Sequence, residues 1–290
     1  MIVAIIGLGL IGGSLAIDIR KQKIATKIIG VEKDSKNAED ALSLGLVDEI
    51  SSINKALTDT DLIIIAIPVD QAKLVIVDVL DKISGNTVVM DVGSTKEGIC
   101  QAAEKHRKRR NFVATHPIAG TENFGPLAAF SGLFKDKPLI ICDPEKSSDF
   151  AIEKIESLYE AIGMKIINMK SKDHDLHAAY VSHLSHISSF TLGMTVLEIE
   201  KDEKTIFELA GSGFESTVRL AKSSPEMWAP IFAQNSKHLS EALDAYIKNL
   251  KYFKKLIDEK ETAKIHAVIK QANDIRRILE SRNLISEQIT

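Results

Sequence analysis

The 290 residues suffice for one large domain or two of ordinary size, and 44% hydrophobic with 27% charged residues is the balance of a soluble globular chain. A formal net charge of −3 gives no electrostatic case for nucleic acid or an anionic membrane as partner. Cys100 and Cys142 are too few for a disulfide framework and stand in no metal-type spacing, so a reducing cytoplasm is the expected setting.

The first run, "MIVAIIGLGLIGGSLAI", is apolar enough to imitate a leader or a membrane anchor. It has no basic leader, glycines interrupt it, and Asp18 and Arg20 arrive before a bilayer is spanned. It reads as a strand over 2–6, a turn and a helix start. Gly7, Gly9 and Gly12 stand in dinucleotide-binding spacing. The first glycine permits the tight turn, the second lets backbone approach a pyrophosphate, and the third lets the helix pack on the strand. The pyrophosphate would meet free N–H groups at the helix N-terminus. A second strand, "KIIGVE" (27–32), ends in Glu32, 25 residues after Gly7. A carboxylate there accepts hydrogen bonds from both ribose hydroxyls and repels a 2′-phosphate, which favours NAD over NADP; Lys33 beside it softens that preference.

Five more short apolar runs follow: "LIIIAI" (62–67), "TVVMD" (87–91), "NFVAT" (111–115), "PLIIC" (138–142) and "MKIIN" (164–168). Several are continuous rather than alternating, as in parallel strands covered on both faces, and helix-length segments separate them. A doubly wound α/β sheet is expected. Polar punctuation falls at the C-terminal ends of these strands, where such sheets build their sites. Pro68 and Asp70 follow the first of the five, Asp91, Gly93, Ser94 and Lys96 the second, and His116, Gly120 and Glu122 the third. At this point His116, in "ATHPIAGTE", is open to three readings: catalytic base, metal ligand or loop cap.

Beyond about residue 172, strand runs give way to helical stretches near 173–200, 216–222, 225–260 and 262–282. "SSPEMW" reads as a helix start, with Ser224 as N-cap, Pro225 at the first helical position and Glu226 in the first turn. "NMKSKDHD" marks the expected boundary between a dinucleotide-binding domain, 1–171, and an all-helical domain, 172–290. His183 and His186 share a helix face, as do Ser182 and His186. A zinc site lacks an obvious third ligand, which leaves a buried structural pair or a pair lining a cleft. His174 and His177, at the head of the helix, read as surface residues.

"GLGLIGGSLA", "DVGSTK", "HPIAGTENFG", "VSHLSH" and "VRLAKSSPEMW", in this order and spacing, resemble the prephenate and arogenate dehydrogenases of tyrosine biosynthesis over nearly the whole chain. "HPIAGTE" together with "SHLSH" is the specific part of that resemblance. It implies an α/β fold, an N-terminal Rossmann-type doubly wound sheet followed by an all-α C-terminal domain that forms a homodimer through its helices. It implies NAD-dependent oxidative decarboxylation of prephenate to 4-hydroxyphenylpyruvate, CO2 and NADH, or of arogenate to tyrosine. Aromatisation drives that reaction, so no metal or covalent nucleophile is needed. A base for the ring hydroxyl, a cation for the ring carboxylate and accurate placement suffice.

His116 is the choice for the base, since a neutral imidazole suits proton abstraction from an alcohol near neutral pH. By resemblance, Ser94 hydrogen-bonds His116 and the substrate hydroxyl, and Arg219 grips the ring carboxylate. The resemblance also puts His186 on the substrate, His183 and Ser182 by the cleft, Glu122 at its entrance, and Trp228 near the substrate's side-chain end; core packing is an equal reading for Trp228. The expected cofactor contacts are Gly7, Gly9, Leu10, Ile11, Gly12, Glu32, Ala66, Pro68, Gly93 and Ser94.

Two positions depart from the family's pattern. Ser185 replaces the proline of a motif that often reads "SHLPH", so a straighter helix is expected. Ser216, with Glu215 beside it, stands where an acidic residue commonly precedes the arginine by three, which puts the ion network orienting Arg219 in question. Other two-domain β-hydroxyacid dehydrogenases rely on a helical lysine that "SHLSHISSFTLG" lacks. A nucleotide-sensing protein would be marked by loss of Ser94, His116 or Arg219, and all three are present. On this reading no chorismate-mutase-like segment is expected before the glycine loop, and no amino-acid-binding regulatory domain after the helices. The preference between prephenate and arogenate, strictness for NAD, and inhibition by tyrosine stay open at this level.

Overall fold

The computed structural model describes residues 1–287, with side chains through residue 280. Its centre is an eight-stranded sheet in the order β3-β2-β1-β4-β5-β6-β7-β8. The strands are β1 (Ile2–Ile6), β2 (Lys27–Val31), β3 (Glu49–Ile50), β4 (Leu62–Ile65), β5 (Val88–Asp91), β6 (Phe112–Pro117), β7 (Pro138–Cys142) and β8 (Lys165–Met169). The seven expected strands are present, and β3 is an addition. It is an edge strand of two residues, too short to carry a hydrophobic pattern.

All neighbouring pairs are parallel except β6–β7, which is antiparallel. The parallel steps use crossover helices, as that geometry requires. Between β6 and β7 there is only a short 3-10 turn, Pro126–Ala128, and the chain returns beside itself in the opposite direction.

Continuous apolar strands give two cores because successive side chains point to opposite faces. Val3 and Ile5 of β1, with Ile64, Met90, Val113 and Ile141, pack on one side against α1 (Leu10–Lys21), α2 (Ser35–Ser43) and, further along the chain, α6 (Asp149–Ala161). Ala4 and Ile6, with Ile63, Ile65, Val89 and Phe112, pack on the other against α3 (Ile53–Ala56), α4 (Val69–Lys82) and α5 (Glu97–Ala103).

After β8 the chain is helical. α7 (Ser171–Ala178) runs through a π turn (Ala179–His183) directly into α8 (Leu184–Glu200). α9 (Ser212–Val218) tightens into a 3-10 turn, Arg219–Lys222. Ser224 caps α10 (Pro225–Gln234) as expected, its hydroxyl accepting from the Met227 N–H at 3.4 Å. α11 (Ser236–Asp258), α12 (Thr262–Ala272) and α13 (Asp274–Glu287) follow. The single helix expected over 225–260 is therefore two, broken at Asn235, whose side chain is drawn inward to the Asp175 carbonyl. The chain forms two compact units, Met1–Leu239 and a second that begins at Ser240. Among the described residues, no helix is long and apolar enough to cross a membrane.

Candidate active site

β1 ends at Ile6 and the chain turns at Gly7, whose φ of +94° suits a residue without a β-carbon. A Cβ on Gly7 would meet the Ala66 carbonyl oxygen at 2.4 Å, and one on Gly12 the Gly7 carbonyl oxygen at 2.0 Å. Close packing of α1 on β1 and the end of β4 thus depends on both glycines. A Cβ on Gly9 would meet nothing within 4 Å, so the middle of the loop faces open space. Gly9 starts α1 with no side-chain cap, and no acidic residue stands in the first turn, Leu10 and Ile11 included. The N–H groups there are left for an outside anion.

Glu32, just past β2, is tied to the loop. Its Oε2 accepts from the Leu8 N–H at 2.9 Å, and its Oε1 accepts from the N–H groups of Lys33 at 2.8 Å and Asp34 at 3.1 Å. Open backbone donors and a fixed carboxylate at the end of β2 fit the pyrophosphate and ribose of a dinucleotide. Ala66 and Pro68, the latter the N-cap of α4, continue this edge after β4.

β5 ends in Asp91, and the loop "DVGSTK" folds back over it. Lys96 is fully buried; its ammonium donates to Asp91 Oδ2 and to the Thr115 carbonyl, the latter at 2.7 Å. The Gly93 N–H donates to the same Asp91 oxygen at 2.9 Å, while Asp91 Oδ1 has no partner. Burial pushes the Asp91 carboxyl upward against the pull of the Lys96 charge. A Cβ on Gly93 would lie 3.0 Å from Asp91 Oδ2 and 3.0 Å from Val69. Ser94 is half-buried and its hydroxyl makes no hydrogen bond among the described residues. It does not cap the following helix either. That helix is α5, and Asp175 holds its start, accepting from the N–H groups of Lys96 at 2.7 Å and Glu97 at 2.9 Å.

His116 lies near the end of β6, half-buried. Its Nδ1 sits 2.8 Å from His174 Nε2, and His174 Nδ1 sits 2.7 Å from Asp175 Oδ1. Burial first, and after it the neighbouring His174 ring and Lys96 ammonium, holds the His116 ring well below its ordinary pKa. The imidazole is therefore uncharged at neutral pH. The expectation that His174 is a surface residue is wrong: it is only 3% exposed. α7 packs against α5, and the face that does so carries His174, Asp175 and Ala178, while His177 points outward as expected.

On the helical side, His186 Nδ1 lies 3.0 Å from the Ser182 carbonyl, and its ring stacks on Trp228 with centroids 3.5 Å apart. Burial lowers the His186 pKa, with the Arg219 charge adding to it and the Ser182 carbonyl opposing. Trp228 packs among Val69, Phe190, Ile231 and Phe232, and its buried indole Nε1 has no partner. His183 is buried, its pKa pushed down to about 4 by loss of solvent. Its Nδ1 is 3.1 Å from Asn235 Nδ2, which donates to the Asp175 carbonyl at 2.7 Å.

Arg219 is exposed, and its Nη1 pairs with Glu122 Oε2 at 3.5 Å. Its ionic partner thus comes from the loop after β6. Ser216 instead hydrogen-bonds the Gly213 carbonyl of its own helix at 2.9 Å. Ser185 leaves α8 unbroken, but the π turn interrupts helical regularity one step before it.

His174, Asp175 and Asn235 belong to this constellation and were not read from the sequence as part of it. The only sequence signal for Asn235 is a poor helix former in an otherwise helical run. Among the described residues, no group of three or more His, Cys, Asp or Glu is placed to hold a metal ion.

A family model described as the nucleotide-binding domain of prephenate dehydrogenase matches residues 15–168, and one described as its dimerization domain matches residues 170–271. Prephenate dehydrogenase of Bacillus subtilis is 30% identical over 277 residues, covering 93% of this chain and 74% of that protein. Cyclohexadienyl dehydrogenase of Zymomonas mobilis is 30% identical over 286 residues, covering 94% and 98%. The crystal structure of Aquifex aeolicus prephenate dehydrogenase with hydroxyphenyl propionate and NAD+ superposes with a TM-score of 0.88 at 28% identity, covering 96% of this chain and 98% of that one. With its glycine loop, its histidine at the end of β6 and both family domains in sequence, the chain belongs to the prephenate dehydrogenase family.

Proposed function

We propose that the protein catalyses the NAD-dependent oxidative decarboxylation of prephenate to 4-hydroxyphenylpyruvate in tyrosine biosynthesis, with residues 1–171 binding the nucleotide and residues 172–290 carrying the substrate contacts and the dimer. The observation that supports it most is His116: an uncharged imidazole on the sheet edge that carries the glycine loop, anchored through Nδ1.

Gly7, Gly9, Leu10, Ile11, Gly12, Glu32, Ala66, Pro68, Gly93 and Ser94 hold the dinucleotide, and NAD, when bound, accepts the hydride from the hydroxyl-bearing ring carbon. His116 takes the hydroxyl proton through Nε2. Arg219 binds the ring carboxylate in place of Glu122, and a guanidinium fork suits that carboxylate better than an ammonium does. As the ring carbonyl forms, the bond to the carboxylate breaks, its electrons enter the ring, and CO2 leaves. The resulting phenolate recovers the proton from His116. His186, oriented by the Ser182 carbonyl and by Trp228, and His183 behind it form the wall of the substrate site. The Glu32 carboxylate favours NAD over NADP. A cytoplasmic setting fits two buried free thiols, Cys100 and Cys142.

The decisive assay mixes the protein with prephenate or arogenate and with NAD or NADP, and follows reduced nicotinamide. Highest kcat/KM for prephenate with NAD supports the reading, and a preference for arogenate would replace the substrate. In the same assay His116→Asn is expected to lower kcat by roughly 100- to 10,000-fold; turnover near the parent's would remove the base assignment.

A further inference from the structure

We propose that Asp175 and His174 are positioning residues that lock His116 in the one tautomer able to act as a base, with hydrogen on Nδ1 and Nε2 bare. The inference rests on the role given to His116 above and extends it to two residues that never touch the substrate.

Asp175 is the anchor. Oδ1 accepts from the Lys96 N–H and faces His174 Nδ1, Oδ2 accepts from the Glu97 N–H, and the backbone carbonyl accepts from Asn235. The carboxyl is held in its ionised form. Burial works against this, but the His174 hydrogen bond and the two backbone amides prevail. An ionised carboxylate only accepts, so His174 Nδ1 carries a hydrogen. Its Nε2 then presents a lone pair to His116 Nδ1 across 2.8 Å. One hydrogen must lie between those two nitrogens, and it belongs to His116. The hydrogen bond on one ring nitrogen thereby sets the state of the other. The reversed tautomer would offer the substrate hydroxyl an N–H donor and could take no proton. Because Asp175 also caps α5, it cannot swing away, and the ring plane of His174 is fixed with it.

The test replaces His174 and leaves Asp175, whose loss would uncap α5. In His174→Gln a side-chain oxygen can accept from His116 Nδ1; in His174→Leu nothing can. Nitrogen-15 imidazole spectra, with His116 assigned by its absence from His116→Asn, report which ring nitrogen is protonated without any turnover. The parent and His174→Gln are expected to show Nδ1–H alone, and His174→Leu chiefly Nε2–H. The Leu variant should lose kcat as its Nδ1–H fraction falls, roughly 10- to 10,000-fold, the upper end being that of a catalytic histidine held in the wrong tautomer, while KM for prephenate moves less than about threefold and the Gln variant stays within about threefold of the parent. Hydrogen on Nε2 in the parent, or a Leu variant with the parent's kcat, overturns the proposal. If His174→Leu fails to bind NAD by calorimetry and so is misfolded, the parent and Gln spectra still decide. A parent that turns over no prephenate sinks the functional reading and leaves the tautomer measurement standing.

Discussion

Burial that keeps His116 uncharged also places the acid limb of the reaction. The residue's pKa is driven well below 6.5, so the free base persists as pH falls through the range where an ordinary histidine charges. The pH profile of kcat/KM should therefore hold level through 6.5 and fall only at lower pH. A limb centred at or above 6.5 would show the ring to be solvated. His183 makes the corresponding statement about stability. Its folded pKa is about 4 against an ordinary 6.5, so the unfolded chain binds the extra proton between those values. The stability it contributes is complete above 6.5 and is lost as pH falls toward 4, on the order of 3 kcal/mol in all. Urea melts of the parent and His183→Gln should diverge in slope across that interval; parallel slopes would show that His183 takes up its proton in the folded state.

At the scale of elements, Asn235 joins two helices and the site. It ends α10, and its amide bridges the Asp175 carbonyl and His183 Nδ1. Asn235→Ala leaves a buried carbonyl and a ring nitrogen unpaired, an expected loss of about 1–3 kcal/mol, read as a drop of several degrees in calorimetric Tm. An unchanged Tm would mean that water replaces the amide. Seven strands and the glycine turn were legible in the sequence because each depends on neighbours a few residues away. The contacts that were not legible join distant segments. His116 and His174 are 58 positions apart, and "DHD" at a helix head looks like a solvated start until α5 lies across it. The direction of β7 was hidden for a similar reason, since an apolar run reads the same either way. Asn235 was hidden because amphipathic spacing continues from α10 into α11 across the break. Ser94 and His116 were singled out through a local motif, yet the partner of His116 came from a distant segment.

At the scale of the molecule, α8 spreads its apolar residues over several faces, and it leaves Met194 63%, Leu197 55% and Ile199 50% exposed, with Val181 at 78% just upstream. A monomer seldom leaves such a face bare. These residues fall within the match to the dimerization domain, and a twofold contact would cover the same patch on both copies. Leu197→Asp should convert the dimer to monomer in sedimentation at micromolar concentration while the helical signal in circular dichroism persists. A variant that sediments as the parent does would move the interface to another face.

The π turn at Ala179–His183 has a further consequence for how the histidines are counted. His174 and His183 are nine positions apart and His174 and His186 twelve; at about 100° per residue, an unbroken α-helix would turn them roughly 180° and 120° away from one another. Absorbing one extra residue sets the phase back by about 100°, to near 80° and 20°. His174, which meets His116, and the proposed substrate-wall residues His183 and His186 can then look the same way from a single rod. Shortening the chain by one residue at Tyr180 or Val181 would restore the regular pitch, rotate His183 and His186 by more than a quarter turn, and disable the enzyme with every chemical group still in its sequence.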